Sequence, residues 1–210
     1  MEQKVFNLII LDESGSMSNI ERQAISGVNE TIQSLRLAQK EHIEQKHFLT
    51  LVSFNSEEIK TIYDHIEASK VEELTNAQYC PAACTPLYDA MGLALTCLCG
   101  KVSDNDAVIV TVITDGYENS SKEYDGTAIK ALVDKLKKKG WLFTYIGANQ
   151  DVEAFAHNIS ITNTLSFTAD TDGTQAMFAQ DLKARRRWIN RLALGITPEM
   201  MCDDYFDEDD

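Results

Sequence analysis

The chain has 210 residues, of which 44% are hydrophobic, and it carries a formal net charge of −14. This length and composition predict one globular domain with a sizeable core and exclude a disordered chain. The strong negative charge argues against a nucleic acid or an anionic membrane as partner, because neither is attracted to such a field. No apolar run approaches the roughly 20 residues that a membrane-spanning helix needs.

The cysteines and the N-terminus indicate the compartment. The sequence has five cysteines: Cys80, Cys84, Cys97, Cys99 and Cys202. An odd number of cysteines fits a reducing compartment. The first apolar run, about seven residues long, lacks the length and cleavage site of a signal peptide. We therefore expect a cytoplasmic protein. Because the cysteine spacings differ from those of zinc sites, small buried residues or loop thiols are the favoured interpretation.

The first half of the chain predicts strands and one long helix. The apolar run from Val5 to Leu11 predicts a buried strand. Apolar residues then recur every three or four positions, which predicts a helix: Ile20, Ala24, Val28, Ile32 and Leu35. A second strand is predicted over 48–54, with an edge strand over 58–66 paired to it as a hairpin. A short helical turn is predicted at Val71–Leu74.

The second half continues the alternation of helices and strands. Thr85-Pro86 predicts a helix start, with Thr85 as the N-cap and Pro86 at the first helical position. The β-branched run over 108–113 predicts a central strand. The remaining predicted elements are a helix over 127–139 ending at Gly140, a strand over 141–147, a short helix over 151–157, a strand over 164–168 and a long helix over 174–194.

This order of elements predicts the fold class. We expect an α/β protein with a doubly wound, Rossmann-like, mostly parallel sheet, one antiparallel edge strand and helices on both faces. Residues 1–196 are predicted to form a single domain, and residues 197–210 an acidic, frayed C-terminal tail. The basic clusters at 135–139 and 185–187 are interpreted as solvated helix faces.

Three short polar segments fall at the ends of predicted elements. Asp12, Ser14 and Ser16 follow the first strand, Thr85 precedes a helix, and Asp115 follows the central strand. In a doubly wound sheet these positions share one edge, so we expect the side chains to converge. Magnesium prefers six hard oxygen ligands, and three hydroxyls with two carboxylates meet that demand without filling the shell. The sequence therefore predicts a cation site at which a partner's carboxylate is the natural last ligand.

These segments resemble the von Willebrand factor type A (VWA) domain family. The metal-ion-dependent adhesion site (MIDAS) of that family uses Asp-x-Ser-x-Ser, a separate Thr and a separate Asp, and this chain has all three in that order. The surrounding Leu-Asp-x-Ser-Gly-Ser-Met, Thr-Pro-Leu-x-Asp-Ala and Ile-Thr-Asp-Gly are also similar to the family pattern. The resemblance covers about residues 4–170.

The resemblance implies a role for each residue. Ser14 and Ser16 would bind the ion directly, Thr85 directly or through water, and Asp12 and Asp115 largely through water. The implied ion is Mg²⁺ or Mn²⁺, with Ca²⁺ less well suited. The implied function is a metal-dependent binding module, without catalysis, that recruits an Asp or Glu carboxylate of a protein partner. Because no export signal is visible, the chain is more similar to intracellular stand-alone bacterial members, which work beside AAA+ ATPase complexes or in stress-resistance operons.

Two alternatives remain open at this stage. In the first, Asp12 and Ser14 only cap a turn and Thr85 only caps a helix, which are ordinary roles for these residues. In the second, the chain is a metal-dependent phosphohydrolase of the haloacid-dehalogenase-like type, with a strand-end Asp beside Mg²⁺. That chemistry needs a second Asp two residues after the nucleophile, where this chain has Ser14.

The residues around the predicted site carry weaker signals. Glu13 and Glu118 are interpreted as solvated, and Tyr88 and Tyr117 either as part of a binding face or as packing residues. The four histidines are interpreted as structural: His42, His47, His65 and His157. No pair of nucleophile and base is visible. A further hypothesis places a carboxylate of the acidic tail on the metal, where it would block partners.

Overall fold

The computed structural model describes residues 3–148, 151–197 and 205–206. Within these residues the strands are β1 (Gln3–Asp12), β2 (Gln45–Phe54), β3 (Ile59–Glu67), β4 (Ala107–Thr114), β5 (Leu142–Gly147) and β6 (Asn163–Ser166). The α-helices are α1 (Glu21–Glu41), α2 (Leu87–Cys99), α3 (Gly126–Lys137), α4 (Val152–Asn158) and α5 (Thr171–Ala193). Short 3₁₀ helices lie at Gly15–Ile20 and Ala68–Lys70.

The strands form one sheet in the order β3-β2-β1-β4-β5-β6. All neighbours are parallel except β3, which runs antiparallel to β2 at the edge. The predicted fold class is therefore confirmed. The chain crosses from one half of the sheet to the other between β1 and β4, so their carboxyl ends lie side by side, where doubly wound sheets bind ligands.

Helices cover both faces of the sheet. One core cluster joins the sheet to α1 and α5, and a second joins it to α2, α3 and α4. The central strands β1 and β4 are buried on both sides, which is why their sequences are nearly continuous apolar runs. In the part of the chain that the structure describes, no helix has the length and apolar character needed to cross a membrane.

The predicted helical turn at Val71–Leu74 is wrong. A 3₁₀ helix forms just before it, at Ala68–Lys70, and Val71 is extended with ψ of 128°. The side-chain amide of Asn29 bonds both backbone groups of Leu74. Its Oδ1 accepts the Leu74 N–H at 2.7 Å, and its Nδ2 donates to the Leu74 carbonyl at 3.0 Å. Side-chain hydrogen bonds from α1 thus replace the local helical bonds in this segment.

Several helix boundaries differ from the prediction, among them the start of α5, which lies at Thr171 instead of Thr174. Helix α2 begins at Leu87 with Pro86 as its N-cap residue, and it has no side-chain cap, so Thr85 is not the N-cap. Helix α3 ends at Lys137, before the predicted end. Gly140 follows with φ of +80°, a left-handed conformation that glycine adopts without a steric penalty.

The second basic cluster is solvated only in part, because Arg186 is exposed and Arg185 is not. Whereas the lysines of 135–139 lie fully or partly at the surface, Arg185 is 0% exposed. Its guanidinium donates to Asp181 Oδ2 (3.0 Å), Asn7 Oδ1 (3.1 Å) and Thr111 Oγ1 (2.7 Å). A buried charge needs such partners because it has lost its hydration, and Asp181 supplies the opposite charge one helical turn away.

The predicted acidic tail, 197–210, lies mostly outside the described residues, as does Cys202. Tyr205 is described and is 4% exposed, so the prediction of a frayed tail does not hold at this residue. Its N–H donates to Asn163 Oδ1 at 3.2 Å, and its hydroxyl lies 3.1 Å from Asp181 Oδ1. Tyr205 therefore packs against α5 and the edge strand β6.

We predict that replacing Arg185 destabilises the protein strongly. Arg185→Met leaves the buried Asp181 carboxylate without its counter-charge, so the free energy of unfolding should fall by about 3–5 kcal/mol. The matched control is Arg186→Met, because Arg186 is 60% exposed and pairs with Glu41 at 3.4 Å; its effect should stay within about 0.5 kcal/mol. Urea unfolding of both variants measures the difference, and equal losses would contradict the prediction.

We predict that His47 makes the stability depend on pH. Burial, helped by the charges of His42 and Arg185, lowers the pKa of His47 to about 4. Because the unfolded histidine titrates near its ordinary pKa of about 6.5, the unfolded state binds more protons between these values. Stability is therefore lost as the pH falls from about 6.5 towards 4, by up to about 3 kcal/mol.

The variant His47→Gln removes this titration and places an amide donor beside Gln45, whose Oε1 lies 3.1 Å from His47 Nε2. Urea unfolding between pH 7 and pH 4 should show a shallower loss of stability than in the wild type. His157→Gln, at an exposed position, is the control and should retain the wild-type slope. Parallel curves for the wild type and His47→Gln would refute the assignment.

Candidate functional site

Asp12 ends β1 with its side chain buried at 0% exposure. Its Oδ1 accepts the Ser14 N–H at 2.7 Å, and its Oδ2 accepts the Thr114 hydroxyl at 2.6 Å. The Tyr79 hydroxyl donates to the Asp12 carbonyl at 2.7 Å. The carboxylate is thus fixed between its own turn and the end of the neighbouring strand β4.

Asp12 and Asp115 both have raised pKa values. Burial raises the pKa of Asp12 to about 6, although the hydrogen bonds from Thr114 and Ser14 lower it, and the charge of Asp115 adds to the rise. Burial also raises the pKa of Asp115, against the hydrogen bond from Ser16. Two partly dehydrated carboxylates create a local negative potential that a bound cation would neutralise.

The remaining predicted residues surround the same point. The hydroxyls of Ser14 and Ser16 lie 3.2 Å apart, and Ser16 Oγ donates to Asp115 Oδ1 at 2.5 Å. A Cβ built on Gly116 would lie 3.5 Å from Thr85 Oγ1 and 3.7 Å from Ser16 Oγ. The structure therefore brings all five residues together at the ends of β1 and β4.

Thr85 is held by its backbone, not as a helix cap. Its N–H donates to Asn119 Oδ1 at 2.9 Å, and its carbonyl accepts the Asn119 N–H at 3.1 Å. Among the described residues its hydroxyl has no hydrogen-bond partner, so the interpretation of Thr85 as only a cap is wrong. The turn interpretation does hold for Asp12, whose carboxylate bonds the Ser14 N–H.

The two glutamates beside the cluster are not simply solvated. Glu13 is 2% exposed, and its Oε1 accepts from Lys60 Nζ at 2.7 Å and from the Cys80 N–H at 2.6 Å. Glu118 is partly buried, and its carboxylate accepts the backbone N–H groups of Tyr88, Ser120 and Ser121. Both carboxylates therefore organise the loops around the site.

The two tyrosines beside the candidate site differ in their exposure. Tyr88 is partly buried and stacks on Phe155, with ring centroids 5.9 Å apart, whereas Tyr117 is 55% exposed. In the described residues, no three or more His, Cys, Asp and Glu side chains group into a metal site. The candidate site is of a different kind, since two carboxylates and three hydroxyls make up its donors.

Three residues that hold the predicted ligands carry weaker or no sequence signals: Tyr79, Thr114 and Asn119. Thr114 had a signal, because it is a polar residue that closes an apolar strand directly before Asp115. Tyr79 and Asn119 lie outside the helices and strands and reach the site only through the tertiary structure.

The comparison with protein families gives one match. A family model described as the von Willebrand factor type A domain matches residues 8–184. Among curated protein sequences none matches the chain.

Solved structures share the fold at low sequence identity. The PilB minor pilin from Streptococcus sanguinis has a TM-score of 0.62 at 12% identity, over 90% of this chain and 63% of that one. The vWF domain of the pilus tip protein Mfa5 from Porphyromonas gingivalis also has a TM-score of 0.62 at 12% identity, over 90% and 97%. Manganese-loaded TRAP from Plasmodium vivax has a TM-score of 0.54 at 19% identity, over 84% and 72%. This chain thus spans less than two thirds of the length of PilB.

We predict that the Thr114 hydroxyl stabilises the site through Asp12. Thr114→Val removes the donor to Asp12 Oδ2 and the acceptor of the Gly116 N–H (3.1 Å) with little change in volume. The free energy of unfolding should fall by about 1–3 kcal/mol, the cost of leaving buried polar groups unpaired. Thr61→Val, at an exposed position of β3, is the matched control. Urea unfolding that shows no larger loss for Thr114→Val than for the control would contradict the prediction.

Proposed function

This chain belongs to the von Willebrand factor type A domain family, and we propose that it is a divalent-metal-dependent protein-binding module whose metal recruits a partner's carboxylate. Domains of this family are generally interaction modules and not enzymes. The observation that carries the proposal is the convergence of two carboxylates and three hydroxyls at the ends of β1 and β4. We take residues 1–196 as the binding domain.

The donor set fits Mg²⁺ or Mn²⁺ better than softer metals, because every donor is a hard oxygen. On this proposal Ser14 and Ser16 bind the ion directly and Thr85 binds it directly or through water. Asp12 and Asp115 act largely through water and balance the charge of the ion. Their raised pKa values support this role, since a cation relieves the cost of two buried negative charges.

The exposure of the donors supports a partner that inserts a side chain. Ser14, Thr85 and Asp115 are 2–3% exposed, whereas Ser16 lies at the surface. When bound, the ion would remain electrophilic, because its direct ligands are neutral hydroxyls and the two carboxylates act largely through water. An Asp or Glu of a protein partner is the group that such an ion attracts. The exposed ring of Tyr117 adds a contact surface beside it.

The class of partner follows from the same chemistry. We propose a protein that offers an Asp or Glu carboxylate, with an AAA+ ATPase complex as the candidate. The manganese in the related TRAP structure supports a divalent ion in this fold. The four described cysteines are free thiols, which supports action in a reducing compartment such as the cytoplasm.

The burial of Asp12 argues against the phosphohydrolase alternative. Both of its carboxylate oxygens already accept hydrogen bonds, one from Ser14 and one from Thr114, and its side chain is 0% exposed. A nucleophile must reach its substrate, and the buried Asp12 carboxylate is not accessible to one. Hydrolysis of a phosphate ester that requires Asp12 would overturn the binding proposal.

We predict that Mg²⁺ or Mn²⁺ stabilises the folded protein. A metal at about 100 times its Kd adds about 2.7 kcal/mol, which raises the Tm of a chain of this size by about 5–10 °C. Asp12→Ala should abolish the shift, and Asp64→Ala, at an exposed position of β3, should retain it. Thermal unfolding with metal and with a chelator measures both. A wild-type Tm that does not respond to metal refutes the proposal.

A further inference from the structure

The segment 71–86 forms neither helix nor strand, yet it delivers Thr85 to the site. Three hydrogen bonds join it to the turn after β1: Cys80 N–H to Glu13 Oε1 (2.6 Å), Ala82 N–H to the Glu13 carbonyl (2.9 Å) and Gly15 N–H to the Ala83 carbonyl (3.1 Å). Ala83 has φ of +61°, which is unfavourable for a residue with a Cβ. Tertiary hydrogen bonds therefore set the path of this segment.

Of these three hydrogen bonds, only the one to Glu13 Oε1 involves a side chain; the other two join backbone groups. Its carboxylate is 3% exposed and pairs with Lys60 at 2.7 Å, and the Lys60 side chain is 29% exposed at the sheet edge. One oxygen thus accepts from both an ammonium group and a backbone amide, a strong arrangement in a site with little water. This oxygen is engaged within the protein, and the charge of the carboxylate is balanced by Lys60.

We propose that Glu13 is a positioning residue for the metal site, acting by holding the segment 80–84 and, through it, Thr85. The inference rests on the proposed function, because it assumes that the five-residue site binds a divalent ion. Lys60 fixes the Glu13 carboxylate at the sheet edge, and Glu13 fixes Cys80 ahead of Thr85. Glu13 thereby contributes to metal affinity without contacting the ion.

A purely electrostatic role for Glu13 gives the opposite result in one variant. If Glu13 acted through its negative charge, Lys60→Met would expose that charge to the ion and tighten metal binding. If Glu13 acts by position, Lys60→Met removes the group that fixes it, and metal binding weakens. Lys60→Arg keeps the ion pair and should restore binding close to the wild-type value.

The test is Mn²⁺ binding, measured by the electron paramagnetic resonance of free Mn²⁺ and by calorimetry. Glu13→Gln should raise the Kd about 10-fold or more, since loss of a group that orients a ligand costs about 10–100-fold in affinity. The double variant with Thr85→Ala should bind no more weakly than Thr85→Ala alone, because both changes remove the same contribution. Glu58→Gln, at an exposed position beside β3, is the matched control and should bind as the wild type does.

The outcomes separate the two proposals. A wild-type protein that binds no Mn²⁺ refutes the proposed function, and this inference with it. If the wild type binds Mn²⁺, three results would each refute the role of Glu13 alone. These are an unchanged affinity in Glu13→Gln, additive losses in Glu13→Gln and Thr85→Ala, and tighter Mn²⁺ binding in Lys60→Met. Should circular dichroism show that Glu13→Gln does not fold, Lys60→Met and Lys60→Arg decide by the direction of their shifts.

Discussion

The rim of the sheet depends on a carboxylate that is buried at the end of a central strand. Asp12 ends β1, with β2 on one side and β4 on the other, and has no access to water. The fold supplies one donor from its own turn and one from β4, and the pKa of the carboxylate still rises to about 6. Thr114 is held by this bond, and the residue after it, Asp115, is thereby placed opposite Ser16.

The sequence was sufficient for the elements whose environment is uniform along their length. A strand covered by helices on both faces has no polar side, so β1 and β4 appear as apolar runs that stop where the ligand residues begin. Helix α1 has one buried stripe and appears at a period of three or four residues. Because parallel strands end at one edge, the convergence of Asp12 and Asp115 could be predicted without knowledge of any contact.

Features that depend on distant partners could not be predicted in this way. Arg185 lies in a basic triplet, but its acceptors Asn7 and Thr111 are 178 and 74 residues away in the chain. The spacing of four from Asp181, on the buried face of α5, was the one local signal. The segment 71–86 has no periodicity because its path is set by hydrogen bonds to α1 and to the turn after β1. Local propensity does not report such bonds.

The carboxylates near the rim divide into two groups, and the division bears on function. One group accepts hydrogen bonds from backbone amides and consists of Glu13, Asp89 and Glu118. Asp89 accepts the amides of Lys122, Glu123 and Tyr124, and Glu13 also forms an ion pair with Lys60. Asp12 also accepts one backbone amide, that of Ser14, but it lies with Asp115 beside the three hydroxyls of the site. On the proposed function these two charges balance a divalent ion. A third carboxylate facing the ion would hold it more tightly but would repel the carboxylate of a partner. A site that must attract an anion therefore gains from completing its donor set with hydroxyls.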